Sequence, residues 1–149
     1  MNHPEQRIID FIGEHHVLTL AVARDNQPYC ATCFYVYLKD LNRFIFSSDR
    51  ETRHIRDVIE GNNYQVAGAI ALETKVTGKI RGIQFTGVIA ALEGSGLAAG
   101  RSAYLKRFPY ARLVPGLYLW TLDPDFIKMT DNRLGFGKKL IWTAEESLK

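Results

Sequence analysis

Apolar positions along this chain follow two periods, and the strand period dominates. Ile8, Ile9, Phe11 and Ile12 recur with helical spacing between Pro4 and Gly13, predicting a short N-terminal helix within residues 1–13. Residues 17–23 (VLTLAVA) and 29–38 (YCATCFYVYL) are strand-like runs separated by a turn at 24–28. A second turn at 39–42 leads into Arg43–Ser47, so two successive hairpins predict an antiparallel meander. Residues 65–72 (QVAGAIAL) form a fourth strand whose Gly68 and three alanines require something large to pack over them. The fifth, 79–92 (KIRGIQFTGVIAAL), sets Gly82, Gln84 and Thr86 on one face and Ile83, Phe85 and Ile89 on the other. Gly82 and Gly87 are candidate bulges that would curve a sheet. Ser95 is positioned to cap a helix over Leu97–Arg107, which Phe108-Pro109 ends before a short helical piece at 110–114. Extended segments follow at 117–122, 126–130 and 138–143, with a turn through Gly135 and Gly137 and a frayed tail at 144–149.

Six or seven antiparallel strands with peripheral helices give a mainly β, α+β chain, and the internal glycines favour a closed barrel. No repeat divides the 149 residues, which read as one domain spanning 1–149.

The junction at 44–60 (FIFSSDRETRHIRDVIE) carries the densest chemistry. An aromatic and β-branched strand end meets a polar turn. Ser48 and Glu51 have capping-box spacing, predicting a helix from about Asp49, and Ile55, Val58 and Ile59 then mark one apolar face up to Gly61. The junction reads two ways. One is an ordinary capped helix with solvated charges. The other is an anion site, in which helix N–H groups, the hydroxyls of Ser47, Ser48 and Thr52, and the cationic groups of Arg50, Arg53, His54 and Arg56 converge on a phosphate.

Composition removes other classes. The net charge of +3, with basic residues scattered, argues against nucleic acid. No apolar run reaches the roughly 20 residues of a membrane span. The N-terminus has no signal-like apolar core, so a cytoplasmic protein is expected. Cys30 and Cys33 have C-x-x-C spacing, but an offset of three on a strand puts them on opposite faces, about 10 Å apart along the chain. They can neither bridge nor share a metal there, and both are expected buried and reduced. The adjacent His15 and His16 do not form a metal pair in an extended chain.

The order helix, hairpin, strand, polar turn, helix, two strands and a later helix is similar to the pyridoxamine-phosphate-oxidase-like flavin-binding split barrels. The blocks FYVY (34–37), ETRH (51–54), RGIQFTG (81–87) and DNRLGFGKKLIW (131–142) resemble a small bacterial branch of that superfamily. The resemblance implies a homodimer with FMN in the clefts between subunits. It implies that the flavin phosphate meets the end of the third strand and the following turn, here Phe46, Ser47, Thr52, Arg53 and His54. His54 stands where the family often has Lys or Arg, which would make phosphate binding pH-sensitive. The ring would lie along Ala31, Thr32 and Cys33, with Gln84 as a polar contact and Trp142 as a C-terminal aromatic neighbour. Lys138 and Lys139, a basic pair near a glycine-rich turn, read either as reaching a flavin phosphate or an anionic substrate across the dimer or as a solvated turn. The stripe Tyr29, Tyr35 and Tyr37 reads as core or dimer packing. The substrate-phosphate residues of the pyridoxamine oxidases have no match, so vitamin B6 oxidation is not carried over. Three readings remain open: an FMN-dependent oxidoreductase with no fixed acid or base, a non-catalytic binder of flavin or another phosphorylated ligand, and a purely structural dimer with an empty cleft.

Overall fold

Strand β1 (Val17–Arg24) turns directly into β2 (Gln27–Leu38) through Asp25 and Asn26, both at positive φ (49° and 65°). Such a two-residue hairpin favours Asp and Asn, which tolerate that backbone. The connection is therefore tighter than the five-residue turn expected, and Pro28 falls inside β2. The computed structural model describes residues 2–145. Asn42, at φ 48°, turns β2 into β3 (Arg43–Ser47).

The strand order is β3-β2-β1-β4-β5-β6-β7, with β3 also paired to β6. Six strands thus close into a ring, with β4 (Gln65–Ala71) and β5 (Arg81–Ala91) on its far side, and β7 (Lys139–Thr143) lies outside it. All pairings are antiparallel. The split arises in β6 (Leu119–Asp131). Its first four residues pair with β3, and its later part, from Phe126 to Thr130, pairs with β7. The sequence suggested two separate pieces here, broken at Asp123-Pro124-Asp125. The chain instead makes one 13-residue strand with a local irregularity. Thr86 pairs with Phe126 and Gly87 with Pro124, leaving Asp125 without a partner on β5. Gly87 is required there, since a Cβ would come within 2.9 Å of Pro124 Cα. Gly82, the other candidate bulge, pairs in regular register with Ala71 and Thr130.

The interior holds the inward residues of every ring strand, among them Leu18, Leu20, Tyr35, Phe44, Phe46, Phe85 and Leu122. Phe44 and Phe85 stack at 5.0 Å, and Phe85 covers Gly68, so the large neighbour expected over the fourth strand is this ring. Helix α1 (Gln6–Glu14) buries Ile8, Phe11 and Ile12 near the start of β1, and Tyr35 Oη donates to Ile12 O at 2.6 Å. Helix α2 (Arg53–Glu60) packs at the other end, where Asn63 Nδ2 donates to Ala23 O at 3.2 Å and Arg24 pairs with Glu60 at 2.5 Å. Helix α3 (Leu97–Arg107) lies outside the ring, with Tyr104 against Ile45 and Leu119. Its N-cap is Gly96 rather than Ser95, and no side chain caps it.

Two further expectations change, on the cysteines and the tail, and the tyrosine stripe resolves to core packing. Cys30 and Cys33 do lie on opposite faces, but only Cys33 is buried and Cys30 is exposed. Tyr35 is fully buried and Tyr29 and Tyr37 partly so, leaving Phe34 as the exposed aromatic of β2. The tail is pinned at its root, where Ala144 N donates to Asp125 O at 2.9 Å. Residues 146–149 of the expected frayed tail, like Met1, lie outside the described residues.

Candidate functional site

The polar turn between β3 and α2 is built differently from a capping box. The helix starts at Arg53, four residues later than expected, with Thr52 at its N-cap position and no side-chain cap. Asp49 takes over locally: its Oδ1 accepts from Glu51 N at 2.8 Å, and its carbonyl accepts from Thr52 Oγ1 at 2.7 Å. This Asx turn replaces the predicted Ser48–Glu51 reciprocity. Ser48 faces inward, and Trp120 Nε1 donates to its carbonyl at 2.9 Å. The outcome is an α2 N-terminus whose first-turn amides have no side-chain partner.

Two arginines flank that end. The Arg53 guanidinium lies 4.2 Å over the Tyr29 ring and 3.6 Å from Asp57, with 60% of its side chain exposed. Arg50 lies 5.7 Å over the Tyr118 ring and forms no ion pair among the described residues. Each cation is held on an aromatic face while its N–H edges stay in reach of solvent. An anion drawn to the helix end meets backbone amides and guanidinium groups together. The aromatic seats were missed in the sequence, because Tyr29 and Arg53 meet only when α2 folds against the start of β2.

The hydroxyls and the imidazole contribute less than expected. The Thr52 hydroxyl donates its hydrogen bond to the Asp49 carbonyl, and Ser47 is half-buried beside the Tyr104 hydroxyl. His54 is not a surface cation. It is 8% exposed, and its Nε2 lies 2.8 Å from Ser48 Oγ and 3.4 Å from Thr52 Oγ1. Burial lowers its pKa from the ordinary histidine value, with Asp57 opposing in part. Phe46 is wholly interior, so its side chain is closed to any ligand at the junction. Cys33 is likewise buried, 3.5 Å from Ser48 Oγ, and burial pushes its thiol pKa up. Ala31 shares the inward parity of Cys33, while Thr32 points outward.

Thr32 and Gln84 do share a surface. Thr32 pairs with Thr19, Thr19 with Ala69, Ala69 with Gln84, and Gln84 with Lys128. This row crosses five strands on the outer face, and only the small side chains of Thr19 and Ala69 separate Thr32 from Gln84. Tyr29, the seat of Arg53, is three residues from Thr32, about 10 Å along β2, and has the opposite strand parity, so it lies at the barrel end rather than in this row. Trp142 is not part of this constellation within one protomer. It pairs with Ile127, is 7% exposed, and borders a groove with Leu41 and Asn42 at the opposite end of β3 from Ser47.

The other sequence block, DNRLGFGKKLIW, builds a second polar centre. Asp131 has no exposed surface, and Arg133 grips it with Nε at 3.0 Å and Nη2 at 2.9 Å. Arg133 beside it holds this carboxyl below the usual range. Asn132 Oδ1 accepts from Gly137 N at 3.1 Å, and Gly135 and Gly137 adopt positive φ. Lys139 Nζ donates to Thr130 Oγ1 at 3.1 Å. The block is a turn-forming device between β6 and β7. His15 and His16 point apart, His15 onto Phe11 and His16 towards Phe108. No helix among the described residues is long and apolar enough to cross a membrane.

Solved structures share this fold. A heme binding protein from Mycobacterium smegmatis superposes with a TM-score of 0.73 at 20% identity, over 87% of this chain and 53% of that longer one. A FAD-binding protein from Mesorhizobium loti gives 0.68 at 13% identity, over 83% and 91%. A Listeria innocua protein assigned as a pyridoxamine 5'-phosphate oxidase gives 0.65 at 12%, over 82% and 94%. The architecture is thus the antiparallel split barrel of the pyridoxamine-phosphate-oxidase-like proteins. No protein-family model matches the chain. Curated relatives do. A UPF0306 protein of Klebsiella pneumoniae (strain 342) is 44% identical over 135 residues, 91% of this chain and 90% of its own. A UPF0306 protein of Yersinia pseudotuberculosis serotype O:3 (strain YPIII) is 39% identical over 150 aligned residues, 99% of this chain and 100% of its own. At that identity, over nearly the full length of both partners, the chain belongs to the UPF0306 protein family.

Proposed function

We propose that this protein binds FMN, with the phosphate at the β3–α2 turn and the ring on the outer face of the sheet, and that it works as a flavin-dependent oxidoreductase. The observation that carries the reading is the uncapped N-terminus of α2 beside an Arg53 seated on Tyr29. Unpaired amides, a helix dipole and an exposed guanidinium suit a phosphate monoester. The small-residue row from Thr32 to Gln84 suits a flat ring. The fold neighbours that bind FAD or heme support a split barrel used for ligand binding. One protomer leaves the ring face open, so the proposal includes a homodimer whose second subunit covers it. Bound flavin would supply hydride or single-electron chemistry, while the chain holds the phosphate, orients the ring and shields one ring face.

The test is the visible spectrum of the purified protein and an FMN titration, with light scattering for mass. Saturable binding by a two-chain species is expected, weakened about 10-fold in Arg53→Ala by loss of one charge-assisted contact. An Arg53→Ala protein that binds as tightly as the wild type moves the phosphate elsewhere, and a protein that ignores FMN ends the flavin reading. A second reading uses the same turn for a non-catalytic binder of flavin or another phosphorylated ligand. Reduction of bound FMN by NADH or NADPH, faster than that of free FMN, would argue against it.

A further inference from the structure

We infer that His54 is a positioning residue for the phosphate-binding turn, acting through Ser48 and Thr52 without touching the ligand; this rests on the FMN reading above. The imidazole lies behind the turn rather than on it. Its Nε2 meets Ser48 Oγ at 2.8 Å and Thr52 Oγ1 at 3.4 Å. The proton assignment follows from the network. Thr52 Oγ1 gives its hydrogen to Asp49 O at 2.7 Å, so it turns a lone pair towards the ring. Nε2 therefore carries the hydrogen, Ser48 Oγ accepts it, and the Ser48 hydrogen is free to point at Cys33 Sγ, 3.5 Å away.

This chain joins three elements. Ser48 is fixed at the entry to β6 from both sides: its N–H donates to the carbonyl of Tyr118, just before the strand, at 3.1 Å, and its carbonyl accepts from Trp120 Nε1 at 2.9 Å. His54 is the second residue of α2, and its own backbone N–H is among the first-turn amides. The imidazole thus ties the helix end to the β6 wall and sets where those amides and the neighbouring Arg53 point. The packing of α2 is carried separately by Ile55 and Val58, both fully buried. Loss of the imidazole would leave the hydroxyl of Ser48 underbonded in the interior and release the turn, while the hydrophobic anchor remains.

FMN and riboflavin, which lacks the phosphate, titrated in parallel by flavin fluorescence, test this. Wild type is expected to prefer FMN. His54→Leu should lose about 10-fold in FMN affinity, with riboflavin unchanged. His54→Gln, whose amide can restore a donor to Ser48, should regain the preference. Ser48→Ala removes the middle of the chain with little change of volume, and it should behave like His54→Leu if the latter does not fold. Folded variants that keep the FMN preference, or lose riboflavin equally, overturn the role of His54 while leaving the FMN reading intact. A wild type that binds FMN and riboflavin alike overturns the phosphate reading and the positioning role with it.

Discussion

At the residue scale, the buried polar side chains are the informative ones. Tyr35 has no exposed surface, and burial raises its pKa well above the ordinary phenol value. Its hydroxyl ties β2 to the Ile12 carbonyl of α1. Tyr35→Phe should cost about 1–2 kcal/mol in urea unfolding, with little change in the denaturant slope, because one buried hydrogen bond is lost and no cavity forms. An unchanged midpoint would show that water serves the carbonyl instead. His54 and Phe46 show what the sequence held at this scale. His54 stands four residues before Val58, one helical turn away and on the same buried stripe as Ile55. Its polarity suggested a surface cation, yet the period already placed it inside. Phe46 shares strand parity with Phe44, so the two point to one face, but Ile45 on the other face is equally buried against Tyr104, and the apolar run alone did not say which face was the interior. Tyr29 under Arg53 had no such local signal, since that contact joins residues 24 apart.

At the element scale, the strand pattern was largely legible, and the departures have specific causes. Asp123-Pro124-Asp125 contains residues that strands disfavour, so β6 looked broken. The bulge at Asp125 accommodates them, with Pro124 opposite a glycine and the Thr86 hydroxyl donating to Asp125. The α2 start was misplaced because Ser48 and Glu51 have capping spacing while Asp49 competes for the same backbone. Gly68 was correctly marked as a site of close packing. A Cβ there would overlap the Phe85 ring and lie 2.9 Å from Thr19 O. Phe85 cannot swing away, because Phe44 stacks on it. Gly68→Ala should therefore lower stability by about 1–3 kcal/mol, and Phe85→Leu in the same chain should recover part of that loss. Full additivity of the two substitutions in thermal unfolding would refute the overlap.

At the scale of the whole molecule, acid should act in two separate windows. The His54 pKa is lowered by burial, so the unfolded chain takes up a proton first as pH falls below about 6.5. The stability from keeping this ring neutral is complete above that value and drains as pH falls through the lowered folded one. Asp131 is depressed mainly by its hydrogen bonds to Arg133, so its contribution is lost only further down, below the ordinary carboxylate value of 3.8. Thermal unfolding against pH should show the upper slope vanish in His54→Gln while the lower one stays. A slope just below pH 6.5 that survives the substitution would assign it to another group. The ring closure was readable from the number of strands, the two hairpins and the internal glycines, whereas the split-barrel class came from the resemblance of the layout to a known superfamily. The open outer face was not readable, because only the assembled register shows that Thr32, Thr19, Ala69 and Gln84 form one row.

The double pairing of β6 has a consequence during synthesis. The ring strands before it can pair with one another as they leave the ribosome, but the ring cannot shut until residues 119–131 emerge. Until then β3 and β5 each keep a bare edge of unpaired amides and carbonyls, one early and one late in the chain, and both wait for the same strand. A translation stall just short of residue 119 would therefore expose two adhesive edges at once, which makes that interval the one in which a nascent chain most needs a chaperone.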